Sequence, residues 1–232
     1  MTVLSSSIAA ADGSGAFAVY VARPEGAGPW PAVVVVQEIF GVNTNIRAVA
    51  DGYAREGFLA VALDLFWRQE PGVELGYTEP ERARAYALMQ GFDVDAGVAD
   101  IQSSLDAVRA DPDCNGRVAV VGFCLGGKMA YLSACHTTAD ASVGYYGVGL
   151  DQLLDRAPLM RKPLLLHIAE QDMLCPPQAR EAILAGLASQ PLATCHVYPG
   201  VGHAFARVKG DHWAPEAAAL AHARTLELLR AM

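Results

Sequence analysis

The sequence predicts an α/β domain with a mainly parallel central sheet flanked by helices, and three observations predict it. Four short apolar bursts punctuate the chain: AVVVV (32–36), FLAVALDL (58–65), RVAVV (117–121) and PLLLHI (163–168). Apolar at every position rather than at alternate ones, they read as strands covered on both faces. Helical patterns separate them around 44–56, 80–110, 127–136 and 178–188, with a closing helix over 214–230. Short strands alternating with helices give parallel βαβ units.

The remaining elements follow the same logic. Residues 3–22 alternate weakly and contain Asp12-Gly13, which predicts an opening hairpin. SVGYYG (142–147) and TCHVYPG (194–200) are weaker strands. Arg68 to Pro80 is a turn-rich excursion of the kind that borders a site or simply covers surface.

Composition bounds the function. A chain of 232 residues, 53% apolar and without repeat or linker, is expected to be a single domain over 1–232. Its net charge of −8 argues against general affinity for nucleic acid or an anionic membrane. The apolar run PWPAVVVV stops at Gln37 and Glu38, far short of a membrane span, and MTVLSSSIAAADGSG lacks the pattern of a secretory signal. A cytoplasmic monomer is expected, without excluding an oligomer. Five cysteines without a CxxC spacing indicate neither a disulfide framework nor a zinc ribbon. The scattered histidines offer no metal cluster, so no metal and no cofactor are expected.

One of those cysteines stands apart. Gly122-Phe123-Cys124-Leu125-Gly126 has the form G-x-nucleophile-x-G, a strand-to-helix turn that lifts its central side chain above a sheet. The following helix turns its amides and positive dipole end toward the turn, favouring a thiolate and then an oxyanion. The amide of Leu125 is one candidate oxyanion donor, and that of Ile39, in the loop after the first central strand, is the second. Taken alone, the motif is also compatible with a buried cysteine in a glycine-rich junction. The partners decide the reading: hydrolases of the α/β-hydrolase fold follow the chain order nucleophile, acid, histidine. Asp172 follows PLLLHI in AEQDMLCPP, and His203 precedes the last helix in YPGVGHAF. Singly, each is an ordinary turn or loop residue; jointly they suggest a catalytic triad. His167, inside a strand, reads as a satisfied core residue.

With these positions in hand, the chain resembles the dienelactone hydrolase family. The matching stretches are QEIFGVN (37–43), FDVDAGVADI (92–101), GFCLGG (122–127), VGYYGVGL (143–150) and GHAFAR (202–207). The resemblance implies a cofactor-free hydrolase that opens the ring of a carboxylated enol lactone to maleylacetate in catechol or chlorocatechol breakdown. It places Cys124, Asp172 and His203 in the triad. It implies further that Glu38, a carboxylate at a buried strand end, pairs with an arginine at rest and deprotonates the cysteine once substrate binds. The small anionic lactone would be held by Arg82 and Arg207, with Tyr86, Phe40 and Tyr146 beside them. On residues alone, Arg82, Tyr86 and Met89 share one helix face, which a solvated surface explains as well, and Arg84 is an alternative to Arg82. Ala204 and Met89 depart from the family pattern, which often has a serine and an aromatic residue there; both bear on substrate range.

A thiol suits an activated ester. The tetrahedral adduct of a thiolate and an ester expels whichever group leaves better, and an enol lactone departs as a delocalised enolate. The alternatives are a related cysteine carboxylesterase or thioesterase acting on another small activated ester, and a binding or redox-sensing protein on the same fold.

Overall fold

The computed structural model describes residues 2–232, and side chains from residue 6 onward. Eight strands form one sheet: β1 (Thr2–Ala9), β2 (Ala16–Arg23), β3 (Trp30–Val36), β4 (Leu59–Leu63), β5 (Cys114–Phe123), β6 (Ser142–Tyr145), β7 (Leu164–Ala169) and β8 (Ala193–Tyr198). Their order is β1-β2-β4-β3-β5-β6-β7-β8. Six α-helices accompany them: α1 (Thr44–Arg55), α2 (Glu79–Gln90), α3 (Val94–Arg109), α4 (Leu125–His136), α5 (Pro177–Leu187) and α6 (Pro215–Arg230). A 3₁₀ segment, Leu150–Leu159, joins β6 to β7. This is the expected α/β fold with a mostly parallel sheet. The chain divides into two compact units, Met1–Val120 and Val121–Met232.

In the first unit, β1 and β2 form the expected antiparallel hairpin, with Ile8 opposite Phe17. Its turn closes by a hydrogen bond from Ala10 N to Gly15 O (2.9 Å), while Asp12 Oδ1 accepts from Ser14 N (3.0 Å). β2 runs antiparallel to β4, and β3 runs parallel to β4 with Val34 beside Val61. Residues 32–36 and 59–63 are all buried, as their unbroken apolar character requires. The helix expected over 80–110 is two helices. Gly91 ends α2, and Asp93 begins α3 by accepting a hydrogen bond from Ala96 N (3.0 Å). A glycine followed by an N-capping aspartate outweighs the continuous helical pattern around it.

The excursion after β4 is pinned rather than loose. Buried Asp64 accepts from the amides of Phe66 (3.0 Å) and Gly72 (2.7 Å). Asp100 on α3, 1% exposed, accepts from Arg68 Nη2 (2.8 Å), Arg68 Nε (2.9 Å) and Trp67 Nε1 (2.7 Å). Leu75 N donates to Phe40 O (2.9 Å), and Asn43 Nδ2 to Leu75 O (2.9 Å), tying the excursion to the loop after β3. Gly41 stands where the two segments meet, with φ 79° and a hypothetical Cβ only 1.7 Å from Val73 O.

The second unit carries β6, β7 and β8 in parallel, with Tyr145 beside His167 and His167 beside His196. Gly122 and Gly126 come so close that a Cβ on Gly122 would lie 1.9 Å from Gly126 O. α4 approaches the end of β6 just as closely, since a Cβ on Gly127 would lie 2.7 Å from Tyr145 O. No described helix is long and apolar enough to cross a membrane.

Replacing Gly41 by Ala should destabilise the protein by about 2–4 kcal/mol, because the new methyl meets backbone and the left-handed φ penalises any Cβ. Urea denaturation of the variant against the wild type measures this.

Candidate active site

β5 ends at Phe123 and α4 begins at Leu125, so a single residue turns the chain between them. That residue, Cys124, has φ 57° and ψ −112°. A non-glycine residue there is strained by about 1–3 kcal/mol and persists only when its surroundings dictate it. They do so through the backbone: Cys124 N donates to Tyr145 O (3.0 Å), and Lys128 N donates to Cys124 O (3.1 Å). Gly122 and Gly126 supply the missing side-chain volume. Cys124 itself is 5% exposed. The amide of Leu125 opens the first turn of α4, where amides have no acceptor within the helix and the dipole favours negative charge.

His203 and Asp172 lie with it. The imidazole of His203 is in hydrogen-bond contact with the Cys124 sulfur. Its Nδ1–H donates to Asp172 Oδ2 at 2.7 Å. The other carboxylate oxygen, Oδ1, accepts from Leu174 N (2.8 Å), so Asp172 is held from both sides. A carboxylate that accepts at Nδ1 leaves Nε2 as the nitrogen for the sulfur. The Asp172 side chain is 1% exposed and that of His203 20%. Burial acts to lower the basicity of His203, but the hydrogen bonds to Asp172 and Cys124 outweigh it and push its pKa up to about 10.

Two further strained residues border the histidine. Tyr146 has φ 39° and places its ring 5.0 Å from the His203 ring, edge to face. Ala204, at φ 62° and 2% exposed, is the residue directly after His203. Arg207 lies on the same loop, half-buried, with its amide donating to Ala204 O (2.9 Å).

The other residues singled out from sequence belong to the first unit. Glu38 (2% exposed), Ile39 (5%) and Phe40 (8%) are buried in the loop directly after β3. The side chain before them, Gln37, accepts from Leu65 N (3.2 Å). Phe40 meets Tyr77 edge to face at 4.8 Å, and Arg82 Nε donates to Tyr77 O (2.8 Å). Tyr77 therefore links two of the singled-out residues; it was not picked out in the sequence, where it lies in the turn-rich excursion. Arg82 and Tyr86 are exposed on α2, whose Ala85 and Leu88 face inward. Arg84, two residues from Arg82, is ion-paired with Glu70. Among the described residues, no three His, Cys, Asp or Glu side chains cluster as metal ligands.

A strand-to-helix turn presenting a cysteine, with a histidine and an aspartate arriving from later strand ends, defines an α/β hydrolase. The chain belongs to the dienelactone hydrolase family, whose model matches residues 17–232, and it is a hydrolase of an ester or lactone bond. The carboxymethylenebutenolidase of Pseudomonas putida is 41% identical over 214 residues, covering 92% of this chain and 90% of its own. An Azospirillum brasilense relative is 48% identical over 228 residues, with 94% of each chain covered. A solved structure from Klebsiella pneumoniae superposes over 100% of both chains with a TM-score of 0.86 and 27% identity.

The raised basicity of His203 has a stability consequence with a definite sign. The folded state holds this proton up to about pH 10, whereas the ordinary value is 6.5. Its contribution is complete below pH 6.5 and should be lost as pH rises to about 10, by at most about 1.4 kcal/mol per pH unit. Urea denaturation of wild type and His203→Gln between pH 6 and 10 should show the stability difference shrinking over that interval.

Proposed function

We propose that the chain opens the enol-lactone ring of a carboxylated dienelactone, giving maleylacetate, by nucleophilic catalysis at Cys124. The observation that carries this reading is the hydrogen-bonded series Cys124–His203–Asp172 at the end of a strained turn. The carboxymethylenebutenolidase relatives, about two-fifths identical over nearly their full lengths, support the substrate class.

The thiolate of Cys124 adds to the lactone carbonyl carbon, and the developing oxyanion faces the first turn of α4 at the Leu125 amide. Collapse of the adduct breaks the ring C–O bond, releasing the enolate and leaving a thioester on the sulfur. Water then adds to the thioester carbonyl and the thiolate departs. One proton of that water goes to the enolate and the other to solvent as the second carboxylate of the product is formed. His203, held as an imidazolium over much of the pH range, offsets the charge on the sulfur while Asp172 fixes the ring. The leaving enolate makes the forward collapse competitive with return of the thiolate, which a simple alkoxide would not.

The roles of Glu38 as gated base, of Ile39 as second oxyanion donor, and of Arg82, Arg207, Tyr86, Phe40 and Tyr146 as substrate contacts rest on the family resemblance. An arginine pair suits this ligand because guanidinium binds carboxylate in bidentate fashion. The enzyme is proposed to act in the cytoplasm, within catechol or chlorocatechol breakdown.

Ring opening of cis- and trans-dienelactone, followed by absorbance, tests the reading. Cys124→Ala should lower kcat by about three orders of magnitude or more. Arg82→Ala should raise KM for the lactone while leaving hydrolysis of a neutral aryl ester nearly unaltered. Preference of the wild type for neutral esters, with no response to Arg82→Ala, would reassign the chain to a general cysteine esterase.

A further inference from the structure

Behind the turn at Cys124, the core of the second unit holds a polar chain that the reaction itself does not use. His167, on β7 one strand in from the edge of the sheet, is completely buried, as is Thr225 on α6. His167 Nδ1 lies 2.8 Å from the Tyr198 hydroxyl, and Nε2 lies 2.9 Å from Thr225 Oγ1. The same Thr225 oxygen lies 2.7 Å from the Tyr145 hydroxyl. At the other end, Arg224 Nη1 donates to the Tyr198 hydroxyl at 3.1 Å.

Arg224 can only donate, so the Tyr198 oxygen accepts from it. Burial, with the charges of His196 and Arg224 adding to it, pushes the His167 pKa down to about 3. The ring is therefore neutral, and it accepts on one nitrogen and donates from the other to its two hydroxyl partners. Thr225 Oγ1, which can both donate and accept, serves Tyr145 as well. Each polar atom in this sequence is satisfied, and such a chain is mutually polarising.

Two of its members, Tyr145 and His167, are bonded to the turns that carry the site. The Tyr145 carbonyl is the acceptor for Cys124 N (3.0 Å), and the Tyr145 ring lies nearly flat on Phe123 at 4.8 Å. The His167 carbonyl is the acceptor for Tyr146 N (2.8 Å), the residue whose ring abuts His203. Cys124 and Tyr146 are two of the four non-glycine residues with positive φ among the described residues. Four hydroxyl or imidazole side chains at the heart of a core cost more to bury than Phe, Leu or Val would, unless something is gained by fixing their orientation.

We propose that the His167–Thr225–Tyr145 chain is a positioning device, which locks the strained backbones of Cys124 and Tyr146 so that the sulfur and the His203 ring stay in register. Its members touch neither substrate nor reacting atoms; they act through the two carbonyls. The proposal rests on Cys124 being the nucleophile, and the test separates the two.

Thr225→Val keeps the shape and removes both hydrogen bonds, Thr225→Ser restores the hydroxyl, and Tyr145→Phe breaks the inner link by removing one oxygen. Two quantities are read for each: kcat and KM on dienelactone per titrated active site, and the iodoacetamide alkylation rate of Cys124, resolved by peptide mass spectrometry. Thr225→Val and Tyr145→Phe should lower kcat and the Cys124 alkylation rate by about 10-fold or more, with KM within about 3-fold, and Thr225→Ser should recover most of both. Unaltered kcat and alkylation in the Val and Phe variants would overturn the proposal. So would equal losses in the Val and Ser variants, since the hydroxyl would then not be what matters. If Cys124→Ala retained wild-type turnover, the nucleophile assignment would fail instead, whatever the alkylation rates.

Discussion

At Cys124 the backbone takes φ 57° and ψ −112°, and the arrangement of the second unit follows from how that turn is held. The conformation is disfavoured by sterics between Cβ and the neighbouring carbonyls, so it exists only where adjacent structure leaves no alternative. Here Gly122 passes so close to Gly126 that no side chain fits between them, and Gly127 presses on the Tyr145 carbonyl. The same carbonyl receives the Cys124 amide. Backbone packed on backbone is stiff, and stiffness is what a nucleophile needs if its sulfur is to stay aligned with an imidazole.

Burial acts alike on two histidines of this unit, and their partners separate them. His203 and His167 are both imidazoles withdrawn from solvent. One meets a carboxylate and is pushed up to about 10; the other has only hydroxyl partners, and burial pushes it down to about 3. Desolvation opposes the charged form in both, and only Asp172 with Cys124 overcomes it. The two rings therefore carry out different tasks with the same side chain: one holds a proton beside the sulfur, and the other is a neutral link that accepts on one nitrogen and donates on the other.

In the first unit the excursion following β4 is ordered by polar side chains acting on backbone amides. Asp64 gathers two amides, Asp100 gathers Arg68 and Trp67, and Asn43 reaches Leu75. Residues 38–40 are thus set in a loop that is itself braced, through Phe40 and Gly41, by residues 73–77. A segment that looks like surface filler in sequence is in fact a support.

The alternation of apolar bursts with helical patterns determined the α/β class and the strands β3, β4, β5 and β7, because burial on both faces leaves a mark at every position of a strand. The G-x-C-x-G turn was legible for a similar reason: a close backbone approach demands glycine, and glycine is visible in one dimension. Other features were decided only in three dimensions. The break between α2 and α3 came down to a cap at Asp93 that competes with an unbroken helical pattern. The ion pair of Arg84 with Glu70, distant in the chain, is likewise a contact that sequence does not show. Thr225 and Tyr198 give no local sign at all, since a helix threonine and a strand tyrosine are ordinary there. Their hydrogen bonds to His167 join β7, β8 and α6, and contacts between residues far apart in sequence have no periodicity to betray them.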